Sequence, residues 1–137
     1  MKILLATDGS EFSDAAVEEC CRIISRPEET QVKVMSTYQE VVPIDNFVQS
    51  AEYAQALEQQ YHQQSENHAA KAVNRIKECF PHVEIDVAEQ VSIGSPDRSI
   101  IEAGEEWDAG LIVIGSHGRG FWDRLLVGSV TDSVVHH

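Results

Sequence analysis

Four short apolar runs of strand length recur along the chain. Residues 2–7 and 109–114 are almost continuously apolar, a pattern typical of strands that are buried on both faces of a parallel sheet. Residues 31–37 alternate in part between apolar and polar side chains, and residues 83–91 alternate cleanly, which indicates a strand with one polar face. We therefore predict four strands, of which the first and the fourth are buried on both faces.

Segments with helical spacing separate these strands. Apolar residues recur at the spacing of a helix face over residues 10–25 and again over about 47–80. A third helix is predicted from Ser95, as its N-cap, to about Glu106, because a proline at the first helical position and an aspartate in the first turn favour a helix start. A fourth helix is predicted from about Ser129.

The resulting order of elements, β-α-β-α-β-α-β-α, predicts an α/β fold with an open, doubly wound parallel sheet and helices on both faces, of the Rossmann-like kind. At 137 residues the chain is most simply one domain. Such a fold usually continues into a further strand, which the sequence up to His137 does not supply. Either the chain is truncated, which we favour, or another chain completes the sheet, since the strand at 111–114 would otherwise have an unpaired edge.

Charge and cysteine content narrow the possible partners. The formal net charge of −13 disfavours nucleic acids and anionic membrane surfaces, because both require a basic surface. No apolar run approaches the roughly 18–20 residues that span a membrane, and Asp8 interrupts the N-terminal run, so the sequence predicts a cytoplasmic protein. The cysteines have no metal-binding spacing, and we interpret them as small apolar side chains in a reducing compartment: Cys20, Cys21 and Cys79.

Three marked turns follow predicted strands at their carboxyl ends, where open parallel sheets bind ligands. The turns contain Asp8, Thr37 and Gly115. If the first strand is central, with the second and the fourth strands on either side of it, these turns converge on one crevice. We therefore expect the ligand site at this edge of the sheet.

The turn after the fourth strand has the glycine spacing of a phosphate site. Gly115 lets the chain leave the strand sharply, and Gly118 lets the backbone approach a ligand closely. Gly128 and Ser129 would place free N–H groups and a hydroxyl at a helix N-terminus, which favours phosphate. The loop is not a P-loop, since no G-x-x-x-x-G-K-[ST] exists, and it is not a dinucleotide loop, since Asp123 stands where G-x-G-x-x-G needs its third glycine.

These residues make the chain resemble the universal stress protein family, in its ATP-binding subclass. The resemblance rests on residues 3–10, 94–96, 112–120 and 128–130, and the family pattern G-x₂-G-x₉-G-[ST] is matched at every position. It covers nearly the whole chain and departs at the end, where the family's final strand, often a dimer contact, is not present. The resemblance implies an adenine nucleotide alpha hydrolase-like fold and a homodimer.

The resemblance also implies a nucleotide site. Asp8 would contact the ribose or, indirectly, a Mg²⁺ or Mn²⁺ ion bound to the phosphates. Ala6 and Thr7 would line the adenine side, and Thr37 would offer backbone hydrogen bonds to the adenine edge. Arg119 and Arg124 are the candidates for the local positive charge at the phosphates. The residues that would wrap the phosphates and the ribose are Gly115, Ser116, His117, Gly118, Arg119, Gly128, Ser129 and Val130.

The implied function is that of a small cytoplasmic stress-response protein that binds ATP, ADP or AMP and acts as a nucleotide-dependent regulator, with slow or no hydrolysis. A dimeric scaffold whose nucleotide binding is vestigial remains an alternative. An ATP-using enzyme of the ATP-pyrophosphatase type is less favoured, because residues 7–10 read Thr-Asp-Gly-Ser and lack the Ser-Gly-Gly-x-Asp-Ser loop. A receiver domain is also less favoured, because Asp8 has no acidic partner beside it.

Overall fold

The computed structural model describes residues 1–8, 11–40, 50–114, 126–129 and 133–136. Strands and helices alternate through the first 114 residues, and two short strands follow. A 3₁₀ turn at Pro27–Glu29 precedes the second strand. The elements are β1 (Lys2–Ala6), α1 (Glu11–Ile23), β2 (Gln31–Tyr38), α2 (Ser50–Cys79), β3 (Asp86–Ile93), α3 (Pro96–Trp107), β4 (Leu111–Ile114), β5 (Leu126–Ser129) and β6 (Ser133–His136).

The strands form one sheet in the order β3-β2-β1-β4-β5-β6. The strands β3, β2, β1 and β4 run parallel, with β1 hydrogen-bonded to β2 on one side and to β4 on the other. In this register Ala6 lies between Met35 and Ile114. The predicted α/β fold, with its parallel sheet and its central first strand, is confirmed.

The side chains of β1 alternate between two hydrophobic cores. Ile3 and Leu5 pack with α1 and α2 on one face of the sheet, and Leu4 and Ala6 pack with α3 on the other face. Ile3, Leu4 and Leu5 are completely buried. Helices therefore cover both faces of the parallel strands, as the unbroken apolar run in β1 predicts.

The end of the chain differs from the prediction. Residues 126–129 and 133–136 form strands, so the helix predicted from about Ser129 is wrong. The further strand that the sequence analysis did not find is supplied by this segment, because β5 pairs antiparallel with β4, and β6 pairs antiparallel with β5. Valines are frequent in these two segments, and β-branched residues favour strands. Pairing also covers an apolar strand edge that would otherwise be exposed.

Helix α3 begins at the predicted residues, but its N-cap side chain has a different hydrogen-bond partner from the one expected. Ser95 is the N-cap and Pro96 stands in the first turn, but the Ser95 hydroxyl makes no hydrogen bond to a backbone N–H group. It donates to the Asp97 carboxylate instead, and this bond holds the pKa of Asp97 below its usual range. At the other end Asp108 adopts a left-handed conformation, with a φ of 58°, and terminates the helix. Within the described parts of the chain, no helix has the length and apolar content to cross a membrane.

Core packing on the α2 side is the first property to test. Ile76 is completely buried against the sheet, whereas 46% of the surface of Ile101 on α3 is exposed. We expect Ile76→Ala to lower the free energy of unfolding by about 2–5 kcal/mol, because it removes apolar contacts and leaves a cavity. The matched control Ile101→Ala should change it by less than about 1 kcal/mol. Urea titrations of both variants measure this, and equal losses would contradict the burial of Ile76 in the core between α2 and the sheet.

Candidate functional site

The carboxyl ends of β1 and β2 lie side by side. Ala6 is paired with Met35, and the Thr7 N–H donates to the Met35 carbonyl at 2.9 Å, so the pairing continues one residue beyond β1. Asp8 and Thr37 each follow this aligned pair by two residues. Asp8 and Thr37, which the sequence analysis predicts as site residues, therefore follow neighbouring strand ends at the same edge of the sheet.

The end of β4 lies on the other side of β1. Ile114 is the last residue of β4 and is paired with Ala6, so the glycine-rich loop departs next to the same edge. The remaining nominated loop residues lie outside the described residues: Gly115, Ser116, His117, Gly118, Arg119, Arg124 and Val130. The topology thus supports the predicted crevice on both sides of β1, between the ends of β2 and β4.

Gly128 and Ser129 have a different setting from the one expected. Gly128 is paired with Ile112, and β5 runs from the carboxyl edge of the parallel strands back towards their amino edge. The predicted helix N-terminus at these two residues is therefore not formed in the described structure. Their backbone groups belong to a strand, so the reason for expecting a phosphate there from helix geometry no longer holds.

Exposure increases along the chain at the ends of β1 and β2, where the crevice is predicted. Thr7 and Ser36 are buried, Thr37 is half-buried, and Asp8 is exposed. The Ser36 Oγ atom is buried and has no hydrogen-bond partner among the described residues. A floor of small side chains leaves room for a flat group, and the backbone and hydroxyls at the strand ends supply polar contacts.

Three side chains joined by hydrogen bonds lie beside the end of β2. The Tyr38 hydroxyl lies 3.1 Å from His62 Nδ1, and His62 Nε2 lies 2.8 Å from Glu66 Oε1. The rings of Tyr38 and His62 meet edge to face, with their centroids 5.5 Å apart. The Gly94 N–H donates to the Tyr38 carbonyl at 2.9 Å, which ties the same residue to the end of β3.

The sequence analysis does not single out His62, so it misses these contacts. The available signal was local, because His62 and Glu66 are four residues apart and so share one face of a helix. The contact with Tyr38 depends on how α2 packs on the sheet. Burial, and then the negative charges of Glu58 and Glu66, raise the pKa of Tyr38, so its hydroxyl stays protonated.

An acidic groove of about 560 Å³ adjoins the three side chains of Tyr38, His62 and Glu66. Its walls include Tyr38 and Ile93 from strand ends, and Glu58, His62 and Glu66 from α2. Carboxylates repel phosphate, so the groove is a poor site for the anionic part of a nucleotide. Among the described residues, no group of three or more His, Cys, Asp or Glu side chains is arranged to hold a metal ion.

The comparisons with known proteins agree with this architecture. A sequence model described as the universal stress protein family matches residues 1–137. The chain belongs to the universal stress protein family. A Staphylococcus aureus (strain USA300) protein named as a universal stress protein is 29% identical over 140 residues, covering 98% of this chain and 77% of the relative.

Solved structures with low sequence identity share the fold of this family member. The hypothetical protein MJ0577 has a TM-score of 0.71 at 22% identity, covering 95% of this chain and 84% of its own. A universal stress protein in complex with cAMP has a TM-score of 0.57 at 21% identity, with coverages of 88% and 75%. An Arabidopsis thaliana family protein with AMP bound has a TM-score of 0.53 at 15% identity, with coverages of 88% and 79%. At these identities the likeness shows the fold alone.

The buried hydroxyl of Ser36 can be tested against a matched hydroxyl. Thr30 is also buried, but its Oγ1 donates to the Arg26 carbonyl at 2.8 Å. We expect Thr30→Val to lower the free energy of unfolding by about 1 kcal/mol, because it removes a buried hydrogen bond. Ser36→Ala should leave it within about 0.5 kcal/mol or raise it, because no such bond is lost. Denaturant titration of both variants decides this, and an equal cost at Ser36 would reveal a partner for its hydroxyl.

Proposed function

We propose that this universal stress protein binds an adenine nucleotide (ATP, ADP or AMP) in the crevice at the carboxyl edge of its sheet, and acts as a nucleotide-dependent regulator in the cytoplasm. The alignment of Asp8 and Thr37 at the ends of β1 and β2, beside the exit of the glycine-rich loop from β4, carries this proposal. The AMP and cAMP bound to two family proteins of the same fold support the choice of an adenine nucleotide.

The adenine ring fits best over the ends of β1 and β2. Ala6 and Thr7 are small and buried, so they leave space against the sheet, and Thr37 is half-buried with strand backbone at its position. Asp8 is exposed at the rim, where its carboxylate can accept hydrogen bonds from a ribose. The loop of residues 115–119 is assigned to the ribose and the phosphates.

The phosphates are assigned to the β4 side because of charge. The groove on the α2 side contains Glu58 and Glu66, and the whole chain carries a formal charge of −13. A phosphate therefore needs local N–H groups and a local cation, for which Arg119 is the candidate. The assignment of Gly128, Ser129 and Val130 to the nucleotide rests on the family resemblance alone, since the first two lie in β5.

A divalent cation would enter with the nucleotide. Mg²⁺ is usually held by phosphate oxygens, water and one or two carboxylates, and Asp8 is suited to such an indirect contact. The described residues contain no group of side chains arranged to hold a metal ion, so the nucleotide phosphates would supply most of its ligands. We expect EDTA to weaken ATP binding and to leave AMP binding almost unchanged.

We expect slow hydrolysis of bound ATP, or none. The loop lacks the lysine of a P-loop. The hydroxyl–imidazole–carboxylate series of Tyr38, His62 and Glu66 has the order of a nucleophile, a base and an orienting acid, but the raised pKa of Tyr38 makes its hydroxyl a weak nucleophile. We therefore treat this series as a structural tie between α2 and the end of β2.

The decisive experiment is a calorimetric titration with ATP, ADP, AMP and, for comparison, GTP. We expect binding of the adenine nucleotides, and Gly118→Val should abolish it, because a side chain at this position would block the close approach of the loop to the ligand. We expect an affinity loss of more than about tenfold, which is a loss of more than about 1.4 kcal/mol of binding free energy.

The matched control for this titration is Gly110→Ala, at the opposite edge of the sheet. A Cβ atom at Gly110 would lie 3.7 Å from the Lys2 carbonyl oxygen, an ordinary contact, so the fold and the affinity should both persist. Unchanged affinity in Gly118→Val would mean that the loop is only a turn and does not approach the nucleotide. No binding of any nucleotide at millimolar concentration by the unmodified chain would refute the proposal and favour the dimeric scaffold, which light scattering would detect.

A further inference from the structure

The cysteines of this chain meet at the interface between α1 and α2. Cys20 and Cys21 lie near the C-terminal end of α1, and Cys79 is the last residue of α2. Arg75 of α2 contacts Asp14 and Glu18 of α1, and about one helical turn further along the two helices lie Cys79 and Cys21. All three thiols are free. The register of the two helices thus brings the adjacent Cys20 and Cys21 near a cysteine that is distant in the sequence.

Other contacts hold the two helices in place independently of the thiols. The Arg75 guanidinium on α2 lies 2.8 Å from a Glu18 carboxylate oxygen and 3.6 Å from an Asp14 carboxylate oxygen, both on α1. Beneath them Val17 and Ile76 pack in the same buried core. The helical turns that carry Cys21 and Cys79 are therefore held in register by the packing of α1 against α2.

The three thiols differ in their access to solvent. Cys79 is exposed, Cys21 is half-buried, and Cys20 is completely buried. Burial raises the pKa of both Cys20 and Cys21, so access to solvent, and not acidity, distinguishes the three thiols. An oxidant in solution therefore meets Cys79 first, with Cys21 as its neighbour on α1.

We propose that Cys21 and Cys79 are a peroxide-oxidisable pair that closes a disulfide between α1 and α2. This modification site is separate from the nucleotide crevice and does not depend on the proposed function. The exposed thiol reacts with the oxidant, the half-buried thiol resolves the product, and the buried Cys20 takes no part.

The reaction has two steps. The Cys79 thiolate attacks one oxygen of hydrogen peroxide, the O–O bond breaks, and hydroxide leaves and becomes water, so that Cys79 becomes a sulfenic acid. The Cys21 sulfur then attacks the Cys79 sulfur, the S–O bond breaks, and the departing hydroxide takes the Cys21 proton to form a second water. The two thiols lose two electrons in total, and these reduce one peroxide to two waters.

Cys21 enters the second step as a thiol. Burial raises the pKa of Cys21 most, the neighbouring Cys79 raises it further, and the Arg75 charge lowers it. The Cys21 sulfur therefore loses its proton in the course of the resolving step, to the hydroxide that leaves Cys79.

The backbone at Cys79 can adjust to a disulfide. A disulfide requires the two Cα atoms to be about 4.4–6.8 Å apart, closer than most helix pairs approach. Cys79 ends α2, and the following Phe80 N–H donates to the Lys77 carbonyl at 3.2 Å in a terminal turn. The last turn of a helix can therefore shift towards α1 without disturbing the helix interior.

The test uses the full reduced chain, treated with a small excess of hydrogen peroxide, blocked with iodoacetamide and digested with trypsin. Cleavage after Lys2, Arg22, Lys77 and Arg98 separates the peptide of residues 3–22 from that of residues 78–98. We expect mass spectrometry to find these two peptides joined by a reducible link, and the count of free thiols in denaturant to fall from three to one. The oxidised chain should melt higher by an amount on the order of 5–10 °C.

Variants identify the partners. Cys20→Ala is the matched control and should keep the full yield of the link, whereas Cys21→Ser and Cys79→Ser should each abolish it. The proposal is overturned if the link disappears in Cys20→Ala, if it forms only between two chains, or if Cys79 is oxidised to sulfinic or sulfonic acid without any link. Circular dichroism of each reduced variant establishes that it is folded before oxidation.

Discussion

The structure depends on the double burial of β1. This strand is hydrogen-bonded on both edges, and its side chains enter two separate cores, so each of its residues is held by neighbours on every side. A polar residue anywhere in 3–6 would be buried without a partner, which explains why the run is continuously apolar. The first polar side chains after the run, on Thr7 and Asp8, mark the point where the chain leaves the sheet.

The crevice is a consequence of this constraint. Because β1 is central and its neighbours are parallel, three strand ends open on one edge, and the residues that follow them become neighbours although they are distant in the sequence. On the α2 side this edge carries Glu58 and Glu66, whose charges repel an anionic ligand. A chain with a net charge of −13 can bind a nucleotide only through such local differences.

The interface between α1 and α2 stabilises the fold and also positions the cysteines. Apolar residues such as Val17 and Ile76 hold the helices on the sheet, and Arg75 bridges acidic residues of α1 at the surface. The same register of the two helices places the exposed Cys79 thiol near the half-buried Cys21 thiol. Since none of these residues belongs to the strand ends, oxidation at this interface and ligand binding at the crevice can be studied separately.

Periodicity in the sequence determined most of the parallel sheet and its helices. The apolar run in β1 and the proline at the start of α3 carry that information locally, because burial and helix capping depend on short-range pattern. The boundaries of β3 were shifted, from 83–91 to Asp86–Ile93, since pairing with β2 decides where a strand begins. The segment after 125 was predicted from its glycines as a helix start, whereas pairing with β4 makes it a strand.

Within the crevice, sequence reasoning brought Asp8 and Thr37 together through topology alone. It did not find the contact of His62 with Tyr38, nor that of Cys21 with Cys79. Each of these pairs joins residues from two different elements, and no spacing along the chain encodes such a contact. Only the packing of α2 against the sheet and against α1 decided them, because the rotation of a helix on its neighbours fixes which of its side chains meet.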